Sequence, residues 1–332
     1  MTRNLQKSAI FAAWVALAAL VLSGCSAASV TPATESASQV VRMATGPWIG
    51  YGPWAIAKDQ GFFAKSGVKV DQTSFKTAAD LDAAFTAGGV DVANVPTNTA
   101  LRMRASGARL KIVLIESLRM KADAIIAPGS ITTVKQLKGK RVAFEKNTTA
   151  DLLLAYALQT NGMTMADIEA VPTPAAEAAT ALVDRKVDAA VTNEPYISPA
   201  LDKSAGWHRL FSADAQPGLI SDVLIVSDGF LKNRPKAIAG LVKSWDLATK
   251  YYDAHPEASR SIIAAAIGAD SALLGTAFEG VRLYGLKDNK GSLSQSFKQA
   301  TVPYVLKVAT EFGMVNSDVS MDDLFDTSFV GK

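Results

Sequence analysis

Side chains suited to recognising a small polar molecule stand just beyond short apolar runs of this chain. Thr97 and Asn98 follow Val90 to Val95, and Ser117 follows Lys111 to Glu116. Thr148 and Thr149 follow Arg141 to Phe144, and Asn193 and Glu194 close the run that ends at Thr192. Hydroxyls, amides and carboxylates of this kind donate and accept hydrogen bonds without breaking a covalent bond. Thr148 precedes the helical pattern Ala150 to Gln159, with Asp151 three residues on, the spacing of a capping box. Backbone N–H groups there would welcome an anion, and equally Thr148 would serve as a plain cap. The stretch Gly46-Pro47-Trp48-Ile49-Gly50-Tyr51-Gly52-Pro53-Trp54 sets three aromatics among three glycines. Trp48 has a ring wide enough to wall a solute and an indole N–H to donate; Trp54, on the following helix, is assigned to the core, and Tyr51 stands between the two. Asp123, Glu194 and Asp222 either receive an ammonium or amidine group of a ligand or pair with amides and basic side chains of the protein itself. If anion and cation sites both operate, a zwitterion fits better than a bare inorganic anion.

Bond-making constellations are missing from the pattern. The two histidines, His208 and His255, show no metal-ligand spacing, and no Ser-His-Asp arrangement or lysine-terminated glycine loop accompanies them. No catalytic residue, metal or cofactor is expected. Cys25, the single cysteine, excludes a disulfide. It ends a segment with a basic head (Arg3, Lys7) and an apolar run closed by Leu22-Ser23-Gly24, the layout of a signal peptide over residues 1–24. Removing that segment takes two of the 34 basic side chains and leaves 32 against 31 acidic ones. So even a balance gives no support to nucleic-acid binding. Residues 25–39, rich in Ser, Ala and Thr, read as a flexible tether.

The elements that must position these groups alternate. Val40 to Ala44, Val68 to Thr73, Val90 to Val95, Lys111 to Glu116 and Arg141 to Glu145 have strand character. Pro53 to Gln60 and Ala78 to Ala87 are helical and end at glycines. Such β-α alternation predicts doubly wound, mostly parallel sheets, whose ligands bind beyond the carboxyl ends of the strands. The last hundred residues read as helices over Pro235 to Asp253, Pro256 to Ile267, Ser271 to Leu283 and Gln295 to Phe312.

A near-repeat organises the whole. AADLDAAFTAGGVDVA (78–93) aligns without gaps with AAEAATALVDRKVDAA (175–190), each a helix, a turn and a strand. ADAIIA (122–127) is echoed by SDVLIV (221–226). Two similar α/β lobes follow: lobe 1 from residues 40–122 and 227–332, lobe 2 from 123–226, with hinge strands near 123–127 and 221–226 and Asp123 and Asp222 as hinge residues.

Leu22-Ser23-Gly24-Cys25 resembles the lipobox of bacterial lipoproteins, which implies acylation of Cys25, export, and anchorage to the outside of the cytoplasmic membrane. GPWIGYGPWAIAKDQGFF, GGVDVANVPTNTAL, LKGKRVAFEKNTTADLLLAYAL, VDAAVTNEPYIS and PGLISDVLIVS together resemble the nitrate/sulfonate/taurine-type binding proteins of ABC importers. The resemblance implies a type II periplasmic binding protein-like fold, in which two doubly wound α/β lobes are joined by a two-strand hinge. It also implies a monomer that holds a small anionic or zwitterionic solute between the lobes and delivers it to a permease with a cytoplasmic ATPase. Carried onto this chain, the cleft residues it implies are Trp48, Ile49, Thr97, Asn98, Ser117, Thr148, Thr149, Asn193, Glu194 and Asp222, to which the aromatic loop adds Tyr51. Two rivals remain, a solute-sensing lipoprotein and an enzyme like those of thiamine-pyrimidine synthesis; the latter needs a reactive histidine and a cysteine-rich segment that this sequence lacks.

Overall fold

The computed structural model describes residues 40–331 apart from 204, 275, 276, 316–318 and 322. The expected signal peptide, Cys25 and the expected tether therefore lie outside the described residues. Strands β1 (Val41–Thr45), β2 (Val70–Ser74), β3 (Val92–Pro96) and β4 (Leu110–Arg119) enter a first sheet. Next, β5 (Asp123–Ala127), β6 (Arg141–Phe144), β7 (Glu169–Pro172), β8 (Ala189–Asn193) and β9 (His208–Ser212) build a second, and β10 (Ser221–Ser227) and β11 (Val281–Leu283) return to the first. The sheet orders are β11-β4-β10-β3-β1-β2 and β7-β6-β8-β5-β9. In each, three parallel strands are followed by one antiparallel strand, β10 or β5. Both sheets are therefore mixed, and their shared order makes the lobes two copies of one plan.

The near-repeat falls on equivalent elements of that plan. Its first copy is the helix Ala78–Thr86 plus β3, its second the helix Ala175–Val183 plus β8. The retained Val-Asp has a structural reason. Asp91 accepts from the backbone N–H of Arg42 at 2.9 Å, and Asp188 from that of Arg141 at 2.8 Å, each at the start of the neighbouring strand. Both aspartates also face the guanidinium of that arginine, at 2.6 and 3.6 Å. Each pair ties the turn before β3 or β8 to the start of β1 or β6 and sets the parallel register.

Sheet 2 is apolar on both faces, as a strand alternating every second residue requires. Ala124, Ile126, Ala143 and Ala190 pack with Leu182 and Ile197 on one side, while Ile125, Val142, Phe144 and Val191 join the main core on the other.

Two sequence expectations need correction. Residues 221–226 do not cross between lobes: β10 lies wholly in sheet 1, hydrogen-bonded to β3 and β4, and β5 lies wholly in sheet 2. The crossings are the short segments beside them, Arg119 to Asp123 and Ser212 to Ser221. An apolar strand with a neighbour on each side satisfies all its backbone groups, which a bare connector would leave unpaired. Second, Ser271 to Leu283 is not one helix; short 3-10 turns at Ser271–Leu274 and Ala277–Gly280 lead into β11. The Gly280 carbonyl accepts from Met120 N at 2.8 Å, which docks the turn onto the end of β4. The other C-terminal helices, Pro235–Ala254 and Pro256–Ile267, lie where the sequence placed them; Gln295 to Phe312 narrows to a π-turn and the helix Val302–Glu311.

Candidate functional site

Between the lobes lies a cavity of about 180 Å³, smaller than the usual drug-sized pocket. From sheet 1 it is walled by Trp48, Tyr51, Phe75, Asn94, Thr99 and Arg119; from sheet 2 by Glu145, Thr148, Thr149, Asn193 and Tyr196. The walls form at strand ends, as the open-sheet rule requires. The N-terminal turns of four helices, Ala78–Thr86, Thr97–Ala105, Thr149–Thr160 and Ala175–Val183, contribute Ala78, Thr99, Ala150 and Ala176 to the lining. The positive ends of their dipoles make the surroundings hospitable to negative charge.

Beneath the lining runs a buried polar network centred on Arg119, the last residue of β4. Its Nε and Nη2 donate to Asp222 at 2.9 and 2.5 Å, and its Nη1 donates to Asp123 Oδ1 at 3.3 Å. Asp222 also accepts from Trp48 Nε1 (3.0 Å), Tyr51 Oη (3.1 Å) and Ser117 Oγ (2.6 Å). Thr149 Oγ1 donates to Asp123 Oδ1 at 3.1 Å. The guanidinium stacks on the Trp48 ring at 4.0 Å, a cation–π contact in a desolvated place. A continuous chain thus joins Trp48 on one wall to Thr149 on the other through Arg119 and Asp123. The two aspartates occupy matching places: Asp222 opens its strand opposite Pro96, and Asp123 opposite Asn193, positions 97 residues apart.

Burial sets the electrostatics. It pushes the Asp123 carboxyl up to about 6, against the lowering effect of Arg119. It raises the Tyr51 phenol well above its ordinary range, reinforced by Asp222. Glu116, under the aromatic loop, is held well above the carboxylate range by burial although Trp54 Nε1 donates to it at 2.7 Å. Glu145 is raised by burial and relieved by the Ala175 N–H at 3.3 Å.

The residues singled out in the sequence divide by depth. Trp48, Tyr51, Thr148, Thr149 and Asn193 meet on the cavity wall. Ser117, Asp123 and Asp222 lie behind it in the Arg119 network. Ile49 is core, 2 % exposed. Thr97 is buried against Ser221, their hydroxyls 2.7 Å apart, and Asn98 is buried in the same first helical turn. Glu194 is turned away, bonded to Ser198 N, Ser198 Oγ and Arg209 Nη2. The carboxylates expected to receive a ligand's ammonium are thus occupied by Arg119 and Arg209. Thr148 caps its helix by accepting from Ala150 N, but Asp151 accepts from Asn147 N, so the expected capping box is not reciprocal. Trp54 packs on Phe63 and Trp245, in the core.

Sequence reading missed Arg119, Asn94, Thr99, Phe75 and Tyr196. A basic residue ending an otherwise apolar strand, four positions before Asp123, was the available signal for Arg119. Asn94, inside the apolar run Val92 to Val95, was the signal of a polar group that burial would have to satisfy.

Comparison with known proteins is consistent with this geometry. The model of the NMT1-like family matches residues 34–268. A putative binding protein of Brucella abortus is 28% identical over 224 residues, 67% of this chain and 69% of the relative. A putative aliphatic sulfonates-binding protein of Escherichia coli is 31% identical over 135 residues, 40% of this chain and 42% of that one. In fold, the crystal structure of the periplasmic aliphatic sulphonate binding protein of Escherichia coli superposes with a TM-score of 0.72 at 21% identity, covering 86% of this chain and 97% of its own.

Proposed function

This chain belongs to the NMT1-like family, and from that premise we propose that it is the extracytoplasmic solute-binding component of an ABC importer. It takes up a small polar anionic or zwitterionic solute, of the sulfonate, taurine or nitrate kind, between its lobes and presents it to a permease served by a cytoplasmic ATPase. The observation that carries this reading is a single small cavity lined from both sheets, with Trp48 and Tyr51 facing Thr148, Thr149 and Asn193. Groups from two lobes contact one solute together only when the lobes are closed on it, so binding shifts the population toward the closed form. The closed form is what the permease recognises. The short crossings at Arg119 to Asp123 and Ser212 to Ser221 serve as the hinge. Acylated Cys25 holds the monomer at the membrane, and the site binds rather than transforms its solute, for the carboxylates that its hydroxyls meet are held by Arg119.

The test is a thermal-shift screen of the purified chain against taurine, alkanesulfonates, nitrate, amino acids, ureas and pyrimidines. A solute that binds the folded form alone raises the melting temperature, by about 2.7 kcal/mol of stability at a hundredfold excess over Kd. One such solute is expected. A panel without any response removes the receptor reading.

A further inference from the structure

The polar atoms of the cavity are unevenly spent. Among its side-chain donors, Trp48 Nε1 and Tyr51 Oη are held by Asp222, and Arg119 by Asp222 and Asp123. Thr148 Oγ1 donates to the Glu145 carbonyl, Thr149 Oγ1 to Asp123, and Asn193 Nδ2 to the Glu194 carbonyl. These donors are committed within the protein, although the ammonium of Lys76, also on the lining, has no acidic partner among the described residues and is left for the acidic end of a solute. Two acceptors in the wall are uncommitted as well. Asn94, on β3, is 1 % exposed and lines the cavity; its Nδ2 donates to the Ala44 carbonyl at 2.9 Å, which fixes the amide so that Oδ1 is the free end. That oxygen has no partner. Asp82, on the same wall, gives one carboxylate oxygen to Arg102 and leaves Oδ1 buried without a partner. A buried acceptor left unsatisfied is costly, and each such atom in a folded protein calls for a reason.

We infer that the Asn94 amide oxygen, with Asp82 on the lining of the same cavity, forms a subsite for an N–H donor, so that the solute carries an amino, amidine or ring N–H group and is not a bare oxyanion. This rests on the solute-receptor reading and narrows it. An acidic end of the same molecule finds its place at the helix N-termini, while the nitrogen end is read by Asn94. Arg119 takes no part as a direct anion ligand, because Asp222 and Asp123 already neutralise it. A site built to hydrogen-bond a donor discriminates strongly against the analogue that lacks it, since the site's own acceptor is then stranded.

Calorimetry on the purified full-length chain with matched pairs tests this: 2-aminoethanesulfonate against ethanesulfonate, 3-aminopropanoate against propanoate, 4-aminopyrimidine against pyrimidine, and nitrate alone. At least one amino member is expected to bind tenfold or more tighter than its partner, and Asn94→Leu is expected to shrink that ratio toward one. Equal binding within every responding pair, or nitrate binding tighter than any amino member, overturns the inference and leaves the receptor reading intact. Silence from all seven probes overturns the inference, while the receptor reading then falls only if the wider thermal-shift panel is silent too. An unchanged ratio in a folded Asn94→Leu variant removes Asn94 from the subsite. Should that variant not fold, the wild-type pairs decide alone.

Discussion

Arg119 is the residue on which the site turns. Its guanidinium is planar and presents N–H groups in a fork, so it can serve two carboxylates while its face lies against Trp48. Lysine would offer one point charge and no face. Replacing Arg119 with Met leaves Asp222 and Asp123 buried beside each other without a cation, and a broken buried pair of this kind costs about 3–5 kcal/mol. Urea denaturation of Arg119→Met should show a loss in that range, with Arg119→Lys recovering only part of it. Asp123 gives a second prediction with a definite sign. Its carboxyl is raised in the folded chain to about 6 from an unfolded value of 3.8, so the folded form binds the extra proton between those values. Stability contributed by this group is full below pH 3.8 and is lost as pH rises through about 6. Asp123→Asn has no such dependence. The gap between wild type and Asp123→Asn should therefore move in favour of the variant from pH 4 to pH 7, by about 1–3 kcal/mol, with the change levelling off above that. A flat difference across the range would contradict the raised carboxyl.

At the scale of elements, duplication explains what would otherwise be unrelated details. The Val-Asp that ends each repeat recurs because each aspartate ties its turn to an arginine at the head of the adjacent strand. The pair Asp123 and Asp222 recurs because each stands at the start of the strand that runs antiparallel beside the three parallel ones. Outside the repeat, the C-terminal region is fastened by close approach rather than by pattern. A Cβ on Gly280 would lie 2.6 Å from the Ala122 backbone nitrogen, where neither side is a movable side-chain tip. Gly280→Ala should force β11 off β4 and destabilise the chain by about 1–3 kcal/mol, measured as a lowered denaturation midpoint. The helix Pro256–Ile267, bounded by a proline at its first turn and by Gly268 at φ 71°, was plain in the sequence because both signals are local. Ser271 to Leu283 misled because its apolar spacing suits a helix, while the deciding contact is with Ala122, far away in the chain.

For the whole molecule, the lipid anchor is the prediction that belongs to neither lobe. Acyl chains contribute about 0.8 kcal/mol per buried methylene, so several chains on Cys25 would hold a nearly neutral domain at a bilayer. Mass spectrometry of the native protein should find an acylated N-terminal Cys25, and Cys25→Ala should lose that mass; an unmodified native terminus would count against the anchor. The alternation of elements, the two-lobe plan and the aromatic loop were legible in the sequence because periodicity, glycine placement and repetition are properties of neighbouring residues. So were Thr148, Thr149 and Asn193, which follow from a rule about strand ends, and Trp48 and Tyr51, which stand out in the aromatic loop. What the sequence left open was the partner of each charge. Whether Asp222 and Glu194 face a solute or an arginine depends on residues 103 and 15 positions away, Asp123 shares its arginine with the distant Asp222, and Asn94 is distinguished only by a bond to Ala44 on the neighbouring strand. Local chemistry fixes which groups an element offers; only the packing of elements decides which of those groups are already satisfied and which remain for a ligand.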